Sequence, residues 1–144
     1  MQLTKYTDFA LRTLMYVGVL PKGQLATISE ISSRFEIPRN HLMKVVNQLA
    51  RDGYLETVRG PKGGVRLAMT SSDIVVADVI QRFEVRVEPV NCDEPLCPAS
   101  GSCALKGALG EAQQAFFNVL KQYTLAKLLH NPDAIIRLVD ADQA

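Results

Sequence analysis

Residues 26–70 read "ATISEISSRFEIPRNHLMKVVNQLARDGYLETVRGPKGGVRLAMT". Thr27 or Ser29 caps a short helix that carries Ile28, Ile31 and Phe35 at helical spacing. Pro38 is excluded from a helix interior, but it suits the first turn of a new helix. That second helix runs to about Asp52, with Leu42, Val45, Val46 and Leu49 on its inner face, and Gly53 ends it. Only Glu36, Ile37 and Pro38 separate the two helices. So tight a joint makes a helix-turn-helix, with Arg39, Asn40, His41 and Lys44 facing outward.

Residues 54–59 and 64–69 are strand-like, rich in branched and aromatic side chains. Between them "GPKGG" (60–64) makes a turn. Gly60, Gly63 and Gly64 permit positive φ and Pro61 stiffens the backbone. Arg59 and Lys62 give this hairpin a basic tip. A hairpin directly after a helix-turn-helix is a wing. The expected fold is therefore mainly α with a small β-hairpin, a winged helix-turn-helix.

That shape has a chemistry. The second helix fits the major groove of duplex DNA, where Arg39, Asn40, His41 and Lys44 reach base edges and phosphates. Arg59 and Lys62 on the thin wing reach the minor groove or flanking phosphates. The plain alternative for each side chain is solvated surface, and the conjunction of helix pair and basic wing is what favours DNA.

The charge distribution agrees. The net charge is only +1, but residues 1–70 hold ten Lys and Arg against five Asp and Glu, and residues 71–144 hold six against ten. A basic front half suits a polyanion. Hydrophobic residues make up 47% of the 144, enough for a core in one domain of ordinary size. No apolar run approaches the ~18 residues of a membrane helix. Asp8 and Arg12 interrupt the apolar N-terminus, which argues against a signal peptide and for the cytoplasm. There is no nucleophile–base pair and no phosphate loop, so an enzyme is not expected.

Outward from the centre, residues 4–20 form a helix with Thr4 as N-cap and Leu3, Tyr6, Ala10, Leu14 and Val17 recurring at three and four. Asp8 and Arg12 stand four apart, and an intrahelical ion pair is their plain reading. Residues 71–84 begin with Ser and Asp capping chemistry and continue as an amphipathic helix on Val76, Val79, Ile80 and Phe83. From Leu105 to His130 a heptad seam runs through Leu109, Ala112, Phe116, Val119, Tyr123 and Ala126. One helix of that length is on the order of 35 Å and calls for a second copy of the chain to cover it, the alternative being a helix packed within its own chain. A short final helix starts at Pro132. The implied organisation is a DNA-binding domain over 1–84, a cysteine loop over 85–104, and a dimerisation helix and tail over 105–144.

Residues 91–106, "NCDEPLCPASGSCALK", hold all three cysteines, Cys92, Cys97 and Cys103, spaced C-x4-C-x5-C. In a reducing compartment such a group points to metal or redox chemistry. An iron–sulfur cluster, a structural zinc, a thiol switch, a disulfide with one thiol left over, and merely exposed cysteines all stay open on spacing alone.

The combination of "LTKYTDFALRTLMYV" (3–17), "RGPKGGVRLA" (59–68) and three cysteines before a long helix resembles the dimeric iron–sulfur winged-helix repressors. That family includes the cluster-biogenesis regulator IscR and the nitric-oxide sensor NsrR. The likeness spans roughly residues 1–130 and is closer to the NsrR type. The IscR type has five residues between its first two cysteines and a histidine three after the third, where this chain has four residues and Lys106. The resemblance implies a cluster, two-iron or four-iron, held by Cys92, Cys97 and Cys103, with Asp8 of the partner subunit as fourth ligand; Arg12, four residues on, is then expected to hold Asp8 in place. It implies a homodimeric repressor of an operator in double-stranded DNA, released by nitric oxide. The alternatives are a related winged-helix regulator that senses iron–sulfur status or thiol oxidation, and a small iron–sulfur redox or carrier protein.

Overall fold

A computed structural model describes residues 1–140. The order of elements is α1 (Lys5–Val19), α2 (Ile28–Phe35), α3 (Arg39–Arg51), β1 (Leu55–Val58), β2 (Gly64–Leu67), α4 (Val76–Phe83), α5 (Ala104–Leu120), α6 (Leu125–Leu128) and α7 (Asp133–Asp140). The chain is mainly helical with one two-stranded antiparallel hairpin, a winged helix as the pattern of residues 26–70 predicts.

Local chemistry explains the boundaries. Thr4 caps α1 and accepts from Thr7 N–H. Thr27, not Ser29, caps α2 in a reciprocal capping box with Glu30, an arrangement contributing about 1 kcal/mol. Pro38 occupies the N-cap of α3, and Gly53 closes the exit of that helix at φ +82°. The joint between α2 and α3 turns through Glu36, a non-glycine residue at φ +53°. Ser32 holds this joint by donating its hydroxyl to Ile37 carbonyl at 2.6 Å.

In the hairpin Glu56 stands opposite Arg66 and Thr57 opposite Val65. Ala26 and Val65 exchange both backbone hydrogen bonds, at 3.0 and 2.7 Å, which stitches the wing to the segment before α2. Of the three turn glycines, Gly60 alone takes positive φ. Gly63 and Gly64 are needed for room instead: a Cβ on Gly63 would meet Val58 carbonyl, and one on Gly64 would lie 2.6 Å from Ala26 carbonyl.

The core sits between α1, α2, α3 and the hairpin. Leu14, Ile31, Leu42, Val45, Val46, Leu49, Leu55 and Val65 are all buried there, each large side chain stabilising by about 1.5–3 kcal/mol. A second apolar cluster joins α4 to α5 through Val76, Ala77, Ile80 and Phe117.

Two expectations need correction. The capping chemistry at Ser71 and Asp73 does not start α4. Asp73 accepts from Thr70 hydroxyl at 2.8 Å in a separate turn, and α4 begins at Val76 without a side-chain cap. The single helix over 105–130 is broken as well. The helix α5 ends at Leu120, and the backbone of residues 123–125 pairs with residues 74–76 through Val76 N–H to Tyr123 carbonyl (2.9 Å) and Leu125 N–H to Ile74 carbonyl (2.8 Å). Thr124 then caps α6. These bonds and the burial of Leu125 at 2% exposure outweigh the heptad pattern. At 17 residues, α5 is about 25 Å long. Gly18 leaves space for α6 on α1, since a Cβ there would lie 2.6 Å from Leu129 Cδ1. The last helix, α7, follows Pro132 as expected, while the rest of the expected tail, residues 141–144, lies outside the described residues. Among the described residues no helix is long and apolar enough to cross a membrane.

Candidate nucleic-acid interface and cysteine loop

The outer face of α3 is set by its inner one. Leu42, Val45, Val46 and Leu49 are buried, so Arg39, Asn40, His41 and Lys44 are exposed. Asn40 folds its amide oxygen onto His41 N–H at 3.0 Å. The same register exposes Met43, Asn47 and Arg51. These three are not among the DNA-facing residues of α3 expected from the sequence, which lie in its first two turns. The signal was present in the spacing: 40, 44, 47 and 51 recur at four, three and four, opposite the buried stripe.

The wing brings Arg59 and Lys62 to an exposed tip. Arg66, further down, is committed to Glu56 across the strands, Nε to Oε2 at 2.9 Å. The Arg66 guanidinium donates to Glu56 and holds its carboxyl below the usual range.

The helix α3 is held at its C-terminal end and near its middle. Asp52 at its C-cap accepts from Gln48 at 2.8 Å and pairs with Arg82 of α4 at 3.1 Å. Asp52 is only 7% exposed there, so these partners offset the cost of its burial. Beside it, burial and the carboxylates of Asp78 and Asp52 raise the pKa of Tyr54 above 10.0. Near the middle of α3, Tyr6 of α1 donates its hydroxyl to Lys44 carbonyl at 3.2 Å.

Asp8 and Arg12 form a two-point ion pair on α1, with Arg12 Nε to Asp8 Oδ1 and Arg12 Nη2 to Asp8 Oδ2, both at 2.9 Å. Both side chains stay about two-fifths exposed (44% and 40%). The guanidinium of Arg12 also lies 6.0 Å from the ring centre of Phe35, the last residue of α2.

The cysteine loop leaves α4 through Glu84, whose Oε1 accepts from Thr4 N–H (2.7 Å) and Thr4 hydroxyl (3.1 Å). It is tied again where Gln113 of α5 donates to Val87 carbonyl at 2.8 Å. Within it, Asn91 accepts from Asp93 and Glu94 N–H, and Cys97 N–H donates to Cys92 carbonyl at 2.9 Å. Cys92, Cys97 and Cys103 are free thiols, each partly exposed. Cys103 stands at the N-cap of α5, a helix with no side-chain cap, where the backbone N–H groups favour an anionic group. The loop does not bring the three sulfurs together: among the described residues no three His, Cys, Asp or Glu side chains are gathered to hold a metal ion. Asp8 is on α1, not on this loop.

Comparison with solved structures reinforces the fold. The chain is similar to CymR, the global cysteine regulator of B. subtilis, at 20% identity and a TM-score of 0.71, covering 89% of this chain and 95% of that one. It is similar to the oxidised form of Staphylococcus aureus CymR at 22% identity and 0.73, covering 90% and 97%. It is similar to T. potens IscR at 19% identity and 0.73, covering 90% and 86%. At the level of sequence, residues 3–131 match the model of the Rrf2 family, described as iron-dependent transcriptional regulators. The chain belongs to the Rrf2 family and is a DNA-binding transcriptional regulator.

Proposed function

We propose that this regulator is a homodimeric, cytoplasmic repressor whose hold on its operator depends on an iron–sulfur cluster, and that nitric oxide is the signal that releases it. The observation that carries the reading is the placement of three unpaired thiols on a loop whose entrance is tied to the start of α1 through Thr4–Glu84 and to α5 through Gln113–Val87. The domains follow that division: residues 1–84 read DNA, 85–104 hold the cofactor, and α5, at the start of the 105–144 segment, dimerises.

The donor set fits such a cluster. Cys92, Cys97 and Cys103 supply three soft ligands within one short segment, none committed to a disulfide. The loop is polar and exposed enough for the sulfurs to close around iron. When bound, the cluster supplies iron at which a small neutral molecule can bind. Asp8 of the partner subunit is the fourth ligand: a carboxylate keeps lone-pair capacity beyond its two bonds to Arg12, and a hard oxygen is the weakest of the four matches to iron. Arg12 orients that carboxylate. A zinc knuckle is less favoured because the C-x4-C-x5-C spacing departs from the usual pattern.

Dimerisation through α5 follows from its surface. Leu105 and Val119 are 64% and 54% exposed, and Ala108, Ala112 and Ala115 between them are exposed too. A second α5 would cover this stripe. On DNA, Arg39, Asn40, His41 and Lys44 enter the major groove, while Arg59 and Lys62 take the flanking backbone or minor groove.

Asp8→Ala tests the ligand assignment. The reading expects an altered visible absorption spectrum under anaerobic conditions and a changed response of operator binding to nitric oxide. An unchanged spectrum and response remove Asp8 from the ligand set.

A further inference from the structure

The exposed face of α3 has one apolar member. Asn40, Lys44, Asn47 and Arg51 run along its outward line. Met43 flanks that line, 44% exposed, three residues after Asn40 and four before Asn47. On a helix these spacings make the three side chains immediate neighbours. A single exposed methionine on a protein surface needs no explanation. One set between two carboxamides, on the helix that faces the major groove, has a specific chemical counterpart.

An A·T pair shows the major groove two features side by side: the N7 and N6 edge of adenine, which a carboxamide reads with two hydrogen bonds, and the 5-methyl group of thymine, which an apolar side chain covers. A G·C pair offers no methyl. The unbranched thioether of methionine adapts its shape to such a contact. We propose that Met43 reads the 5-methyl group of a thymine in each half-site, with Asn47 beside it on the adenine edge. The inference rests on α3 being the helix that enters the major groove.

The test uses the full-length chain, prepared anaerobically, and a duplex selected by that chain from a random pool. Each thymine of the duplex is replaced in turn by deoxyuridine, which deletes the methyl and nothing else. Wild type should lose affinity about fourfold at one thymine per half-site, the value of one buried carbon. Met43→Ala should bind the unmodified duplex about fourfold more weakly and show no loss at that position, whereas Met43→Leu should keep the methyl sensitivity. A wild-type chain indifferent to every deoxyuridine overturns the proposal, as does a Met43→Ala variant that retains the full effect. Arg39→Ala and Lys44→Ala separate the two levels. If they weaken binding while Met43 is silent, α3 enters the groove without reading a methyl. If they too are silent, the placement of α3 in the groove falls with it.

Discussion

The phenol of Tyr6 donates a hydrogen bond to the backbone carbonyl of Lys44, 3.2 Å away and 38 residues further along the chain. The carbonyl lies near the middle of α3 and has a second lone pair to offer. The Tyr6 ring also stands 5.3 Å from that of Phe83 on α4. Tyr6 therefore joins the helix that carries Asp8 and Arg12 to the helix proposed to face DNA.

Tyr6→Phe removes only the hydroxyl and keeps the ring contact. The expected loss of stability is about 0.5–1.5 kcal/mol, read as a lower unfolding midpoint in urea. Operator affinity should fall as well, because α3 loses one of its guides. Unchanged affinity would show that the bond does not govern the pose of α3.

The wing should fail on a single methyl. Gly63→Ala brings a Cβ against Val58 carbonyl and to within 2.9 Å of Gly60 carbonyl, neither of which can move without breaking the turn. The variant should fold, since the turn is at the surface, yet bind operator more weakly, because the tip that presents Arg59 and Lys62 is displaced. Wild-type affinity would take the wing off the contact surface.

Salt reports the basic tip directly. Each phosphate contact contributes about 0.9 to the slope of log affinity against log salt. Arg59→Ala and Lys62→Ala should each lower the slope by about that amount. Side chains that only sit in solvent leave the slope unchanged.

Tyr54 carries an alkaline limit. Its folded-state pKa is raised above 10.0, first by burial and then by Asp78 and Asp52, so the folded chain prefers the neutral phenol. The associated stability is present below the unfolded pKa and is lost as pH rises through the folded one. Tyr54→Phe should flatten the decline in thermal midpoint above pH ~10. An identical decline in the variant would place its cause elsewhere.

The helix-turn-helix and wing were legible because local chemistry and burial agree there: Thr27, Pro38 and Gly53 mark ends, and Leu42, Val45, Val46 and Leu49 mark a face. The heptad seam misled because it is local, whereas the stop at Leu120 comes from distant partners, Ile74 and Val76, on another segment. Glu36 at positive φ was invisible for a related reason, since a glycine there would have announced the turn. At the site, the residue types and spacing of the three cysteines were plain. The anchors that place their loop, Glu84 on Thr4 and Gln113 on Val87, join residues 80 and 26 apart, and no pattern within either segment predicts them.

On the proposed function, Cys92, Cys97 and Cys103 hold a cofactor that decides whether the protein grips DNA. The direct measurement is anaerobic isolation with iron and acid-labile sulfide analysis, followed by operator binding during a nitric oxide titration. Wild type should contain iron and sulfide, Cys97→Ser should lose both, and wild-type binding should fall as nitric oxide is added. A colourless, iron-free chain that binds its operator at full strength, unmoved by nitric oxide, would contradict it.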